Sequence, residues 1–255
     1  MPPVIYAAPN EGTSPVFCEA FAAGCGGAKI INGGPLYPGD VALFGSPQLW
    51  ELLVAAKNEG RHWFYGDHAY FKKGRFYRIT KNAFMTTKFA KPRPQDYARF
   101  DALGLEIKPK REGGRHILIC PPSTAHIQMM KRAGIESPAE DFDGWARAEL
   151  AKYTDRPIQT RWKRAYIEGR PLESDLKDCW AVVVFTSNVG VLAALAGIPV
   201  FAVGPCASRL FGTEDLSAIE ANALPEDRRS IAAFLSSQQW SLEEIRRGRA
   251  WEALQ

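Results

Sequence analysis

The stretch 182–203, VVVFTSNVGVLAALAGIPVFAV, constrains the fold more than any other part of the chain. An unbroken β-branched and aromatic run ends in Thr186, Ser187 and Asn188, a short helical segment opens at once, and a proline-led run closes the unit. A strand apolar at every position is one covered on both faces, which is the situation of a parallel sheet flanked by helices. The polar break and Pro199 exclude a spanning helix, which needs about 20 largely apolar residues. The expected pattern is strand, helix, strand.

The same alternation runs through the rest of the chain. In the first half, strands are predicted at 4–8, 29–32, 41–44 and 62–65, with helices at 15–23 and 47–58. Gly24, Gly26 and Gly27 end the first helix, and Gly66 is expected to break the strand ahead of Asp67. A polar hinge, 108–115, leads into strands at 116–120, 157–162, 182–185 and 200–203. Helices are predicted at 125–133, from Asp143 to Tyr153, and at 189–196. A tail helix at 225–236 precedes Ser241 and Glu244, whose spacing is that of a capping box opening a last helix through Leu254. Ile245, Trp251 and Leu254 need a surface to bury against, and the first half is the expected one.

With 255 residues, about 150 per domain and 46% hydrophobic residues, two compact α/β domains fit. The expected division is 1–112, 113–236 and a returning helix at 237–255. Five scattered cysteines lack a Cys-x-x-Cys pair and histidines at ligand spacing, which argues against a disulfide framework or a zinc site. The opening residues lack a basic start and a long apolar run, so the expected location is cytoplasmic, with no membrane span.

Small polar residues where a buried strand meets a helix suit an anion, because free N–H groups and the positive end of the dipole face outward. Ligands of open parallel sheets sit outside the carboxyl ends of strands. That position is expected for Thr186, Ser187, Asn188, the Gly204-Pro205 loop and Ser123, while Arg161 and Lys163, on alternate positions, could grip a diphosphate. The alternative is that Ser187 or Asn188 caps the helix and the basic pair is a solvated strand end.

This segment, with its Ala-Leu-Ala-Gly-Ile-Pro-Val core, resembles the donor half of glycosyltransferases of the GT-B architecture, in particular small capsule-type and phage-type members, over about 115–217. The resemblance implies two Rossmann-like domains facing across a cleft. It also implies a nucleotide-sugar co-substrate such as UDP-glucose, no other cofactor and no bound metal. Many relatives carry a glutamate for the ribose where this chain has Leu192.

Sugar transfer with inversion needs an acceptor-side base. Asp67 in the aromatic run 63–71 is the candidate, with His68 beside it and Glu11 in the first loop as competitors; turn capping and aromatic packing are the structural alternatives. From 72 to 99 the chain carries nine Lys or Arg against one acid, or +8 where the whole sums to +4. Lys72, Lys73, Arg75, Arg78, Lys81 and Lys88 interleave with aromatics as in nucleic-acid grooves. Together with the phage-type likeness, this favours double-stranded DNA as acceptor, at a hydroxymethylated pyrimidine flipped from the stack. The alternatives are a cell-surface polysaccharide acceptor and a non-catalytic nucleic-acid-binding module. Asp141 and Asp143 match an Asp-x-Asp metal motif, but Asp143 as a helix N-cap is the better account.

Overall fold

The computed structural model describes residues 1–8, 10, 12–45, 49–83, 93–132, 134, 139–163 and 167–255. The chain forms two compact units, Met1–Leu103 with Ala233–Gln255, and Gly104–Ala232. The first division thus falls at Leu103, ahead of the polar hinge, and the chain returns at Ala233.

Unit 1 is built on a five-stranded sheet of order β2-β1-β3-β4-β5, with β1 Val4–Ala7, β2 Ile30–Asn32, β3 Val41–Phe44, β4 Trp63–His68 and β5 Tyr77–Lys81. The first four strands run parallel, and β5 pairs antiparallel with β4 as a hairpin. Helices α1 (Thr13–Gly24) and α2 (Trp50–Asn58) cover the sheet, and a short α3 spans Tyr97–Asp101. Strand β4 does not break at Gly66. A Cβ there would lie 2.4 Å from the Phe17 ring, so the glycine admits a side chain of α1 onto the sheet.

Unit 2 holds a fully parallel sheet of order β7-β6-β8-β9, with β6 His116–Cys120, β7 Ile158–Thr160, β8 Cys179–Val184 and β9 Val200–Ala202. Every residue of β6 and β9 is buried, as a strand between two helical layers requires. The helices are α4 (Thr124–Arg132), α5 (Phe142–Leu150), α6 (Leu172–Leu176) and α7 (Val189–Leu195), with 3-10 turns at Ala207–Phe211 and Leu216–Ala221. Asp141, not Asp143, caps α5, accepting from the Gly144 amide at 2.9 Å. Asp143 sits in the first turn, taking a bond from Arg147 at 2.8 Å and one from the Thr160 hydroxyl at 2.5 Å.

Helix α8 (Arg228–Ser237) leads into the tail, where the Ser241 and Glu244 box forms as its spacing predicts. The last helix is two, α9 (Leu242–Arg246) and α10 (Arg249–Leu254), broken at Gly248 with φ 81°. A Cβ on Gly24 would lie 2.0 Å from the Ile245 carbonyl oxygen, so the end of α1 meets α9 backbone to backbone. Ile245 and Leu254 join the buried cluster of Phe17, Phe21 and Phe64, with Trp251 packed against it. Each fully buried apolar side chain contributes about 1.5–3 kcal/mol, enough to hold the tail on unit 1.

Candidate functional site

In each unit the chain leaves the first strand toward one edge of the sheet and later strands toward the other. The reversal falls between β1 and β3 in unit 1 and between β6 and β8 in unit 2. Open parallel sheets bind ligands at the carboxyl ends of the strands beside such a reversal.

In unit 2 this point is flanked by 121–123 and 185–188. Ser123 is exposed and caps α4, its Oγ accepting from the His126 amide at 3.4 Å. Thr186 is buried. Ser187 Oγ accepts from the Val189 amide at 3.2 Å, and its carbonyl accepts from the Ser208 hydroxyl at 3.1 Å. Asn188 stands at the N-cap position without a side-chain capping bond. A Cβ on Gly190 would lie 2.5 Å from Ser208 Oγ, and one on Gly204 would lie 2.4 Å from the Phe185 carbonyl oxygen. Close packing of α7 and of the loop after β9 therefore accounts for both glycines, with Pro205 half-buried beside them.

The expected basic grip does not form as drawn. Arg161 is buried and bonded to Asp175 and to the carbonyls of Arg170 and Pro171, because its guanidinium turns into unit 2 and closes the loop leading into α6. Lys163 is exposed, as is Trp162. Leu192 is partly exposed on α7.

In unit 1, Asp67 and His68 end β4 and stand in register with Arg78 and Tyr77 of β5. Adjacent strand residues point to opposite faces, and the contacts follow that rule. Asp67 shares the α2 face with Tyr65, whose ring meets Trp50. Its Oδ2 accepts from Arg78 Nη2 at 2.7 Å, and its Oδ1 accepts from the His68 amide at 2.7 Å. His68 lies on the α1 face between Phe44 and Tyr77, with ring centroids at 5.5 and 5.9 Å. The two side chains therefore project to opposite faces at the end of β4. Burial lowers the His68 pKa from its ordinary 6.5; the Asp67 charge opposes this, while Lys73 and Arg78 add to it. Burial works against the Arg78 charge, yet Asp67 and Tyr70 hold its pKa above the ordinary value. Glu11 lies outside the described residues.

The basic segment is largely consumed by the fold. Arg78 is buried under Asp67, which removes it from an exposed nucleic-acid surface. Lys81 donates to the Leu254 carbonyl at 3.2 Å. Arg99 grips Glu244 through two bonds, at 2.6 and 2.8 Å, and donates to the carbonyls of Ser236 and Gln239. Arg93 lies over Trp240 and donates to the Gln239 carbonyl. Lys72, Lys73 and Arg75 are exposed, and Lys88 lies outside the described residues. Part of what reads in sequence as a polyanion strip, Lys81, Arg93 and Arg99, thus fastens the C-terminal tail. A cavity of about 730 Å³ in unit 1 is lined by these same fasteners, Arg93, Arg99 and Glu244, with Asp96, Arg247, Arg249 and Glu252.

The sequence missed β5, which supplies Arg78 and Tyr77 on either side of the strand end. Its signal was the run Phe76-Tyr-Arg-Ile-Thr after Lys73-Gly74, an alternating β-prone segment following a turn. The five cysteines are buried, and burial pushes Cys18, Cys25 and Cys179 up to about 12, so none of these three is a ready thiolate. Among the described residues, no three His, Cys, Asp or Glu side chains form a metal-binding group, and no helix is long and apolar enough to cross a membrane.

No protein-family model matches the chain, and no curated protein sequence matches it. Among solved structures it is similar to KpsC of Thermosulfurimonas dismutans, a beta Kdo 2,4 transferase. The TM-score is 0.52 at 11% identity, covering 91% of this chain and 89% of that one. The likeness is one of fold. It supports a Rossmann-like α/β class for the parallel sheets described above.

Proposed function

We propose that the protein is a glycosyltransferase, moving a sugar from a nucleotide-activated donor to a hydroxyl of a carbohydrate acceptor. The observation that carries this reading is the shared fold with a sugar transferase over 91% of the chain. The loops at the carboxyl edge of the unit 2 sheet suit the donor.

The residues assigned to the donor are Ser123, Lys163, Thr186, Ser187, Asn188 and the Gly204-Pro205 loop. Arg161 keeps a supporting role beneath them, since its charge is already met by Asp175. On the acceptor side Asp67 is the base. Its two bonds fix the carboxylate while its side chain stays 26% exposed, which leaves lone pairs for an incoming hydroxyl. The acceptor O–H gives its proton to Asp67 as the oxygen bonds to the anomeric carbon. The bond from that carbon to phosphate breaks, and the nucleotide leaves with the electron pair.

A carbohydrate acceptor is preferred to DNA because Arg78 and Lys81, two of the six residues named for DNA, are engaged inside unit 1, as are Arg93 and Arg99 of the same basic segment, which leaves Lys72, Lys73 and Arg75 as the exposed remainder. A thermal-unfolding panel of nucleotide sugars tests the donor. A ligand at a hundred times its Kd stabilises the native state by about 2.7 kcal/mol, so at least one donor should raise Tm, and a panel without a shift removes the reading.

A further inference from the structure

We infer that His68 is held as a neutral imidazole protonated at Nε2, and that this N–H is the donor with which unit 1 holds an oxygen of the carbohydrate acceptor. The inference rests on the transferase reading for the identity of that oxygen, and on the geometry of β4 for the rest.

His68 closes β4 at the carboxyl edge of the unit 1 sheet, in register with Tyr77 and next to the Asp67↔Arg78 pair. Its ring stacks on Tyr77 at an interplanar angle of 29° and meets Phe44 nearly edge-on at 89°. Nδ1 is buried within this packing and has no hydrogen-bond partner. A neutral imidazole carries one proton, on either nitrogen. A proton on Nδ1 would leave a donor buried and unmet, at about 1–3 kcal/mol, so the ring carries it on Nε2.

A second proton would have to enter at that same closed Nδ1, which opposes the charged form whatever the bulk pH. The charged groups around the ring are Asp67, Lys73 and Arg78, and Asp67 already spends its charge on Arg78. Arg78 Nε also donates to the His68 carbonyl at 3.2 Å, which fixes the backbone from which the ring projects. Nε2 lies on the accessible part of the half-buried ring and bonds no described residue.

Phe44 and Tyr77 are buried and hold the imidazole in place, so the ring offers a ligand one fixed donor, which suits an oxygen of a sugar. Because Nε2 already holds its proton, His68 does not take the acceptor's proton. Asp67, on the opposite face, retains that role. His68 is thus a positioning group for acceptor binding.

The experiment uses the full chain labelled with nitrogen-15 in histidine, with the His68→Gln variant identifying the signal. Long-range proton–nitrogen correlation reads the tautomer. The expected result is Nε2–H, with titration below the ordinary 6.5; an Nδ1–H ring, or titration at the ordinary value, overturns the inference. The second arm measures transfer to a panel of disaccharides from mixed nucleotide sugars and then follows the disaccharide that accepts the sugar. His68→Phe keeps the ring and loses the donor, and should raise KM for the disaccharide at least tenfold with a smaller change in kcat. His68→Gln, which restores an N–H, should recover most of it. An unchanged KM in His68→Phe overturns the donor role while leaving the transferase reading intact. Wild-type protein that transfers no sugar, yet shows the Nε2–H ring, overturns the transferase reading and the acceptor oxygen assigned here, not the tautomer.

Discussion

Each unit buries an arginine near the carboxyl edge of its sheet and answers it with an aspartate, but the two pairs are finished differently. In unit 2, Arg161 and Asp175 have side chains 6% and 10% exposed, and Arg170 adds a second cation to Asp175 at 3.2 Å. In unit 1, Arg78 is as well hidden at 4%, whereas Asp67 keeps 26% of its side chain open. A sealed pair ties a loop to its sheet; a pair open on the acid side holds a carboxylate in place and still lets something reach it. The contrast fits Arg161 to the scaffold and agrees with the proposed role of Asp67 as the acceptor-side base.

Removing the acid tests the contrast from both sides. Asp175→Asn leaves buried guanidinium charge unmet and should cost about 3–5 kcal/mol in urea unfolding. A loss under about 1 kcal/mol would mean that the unit 2 pair is not sealed. Asp67→Asn also leaves a buried guanidinium, that of Arg78, without its counter-charge, so its stability cost should fall at the low end of the same range, about 3 kcal/mol, because the open side of the pair admits water. Its turnover should fall about a hundredfold or more, with nucleotide-sugar stabilisation retained. If the larger effect of Asp67→Asn is on unfolding and transfer is spared, the two pairs are alike.

Gly66→Ala sharpens the comparison within unit 1, because it pushes on the Phe17 ring that packs beside Phe44 and Tyr77 and leaves the Asp67 face alone. Overpacking of this kind costs about 1–3 kcal/mol, readable as a lower urea midpoint at unchanged m-value. The smallest effect belongs to a third pair, Arg99 with Glu244, which is more exposed than either of the others at 19% and 30%. Burial works against the Glu244 charge, but the bonds from Arg99 and Ser241 bring its pKa from 4.5 down to about 2. Its stabilisation is therefore complete above the ordinary value and lost as pH falls from about 4.5 to about 2, amounting to about 1 kcal/mol after screening. Glu244→Gln should flatten the acid limb of the stability curve in that window, and a wild-type slope in the variant would show that the pair contributes nothing.

The alternation of strands and helices was legible because it is local: an apolar run, a glycine, a capping box each announce themselves within a few residues, as Ser241 and Glu244 do. The site was less legible because its meaning depends on pairing across the chain. Arg78 looks like one more charge in a basic strip until β5 folds against β4 and sets it opposite Asp67. Arg161 likewise looks free until the loop into α6 brings Asp175 to it. Gly66 read as a strand breaker because its reason, the Phe17 ring, comes from a helix some fifty residues earlier. Gly248 read as interior to one helix because the backbone of α1 that presses on it, at Gly24, is far more remote still.

Mass spectrometry of a panel of oligosaccharide acceptors incubated with the intact protein and mixed nucleotide sugars tests the sugar-transfer claim most directly. The account predicts a product heavier by one sugar residue, formed by wild type and lost in Asp67→Asn. A panel of acceptors whose masses never change, with a donor bound and stabilising the protein, would contradict it.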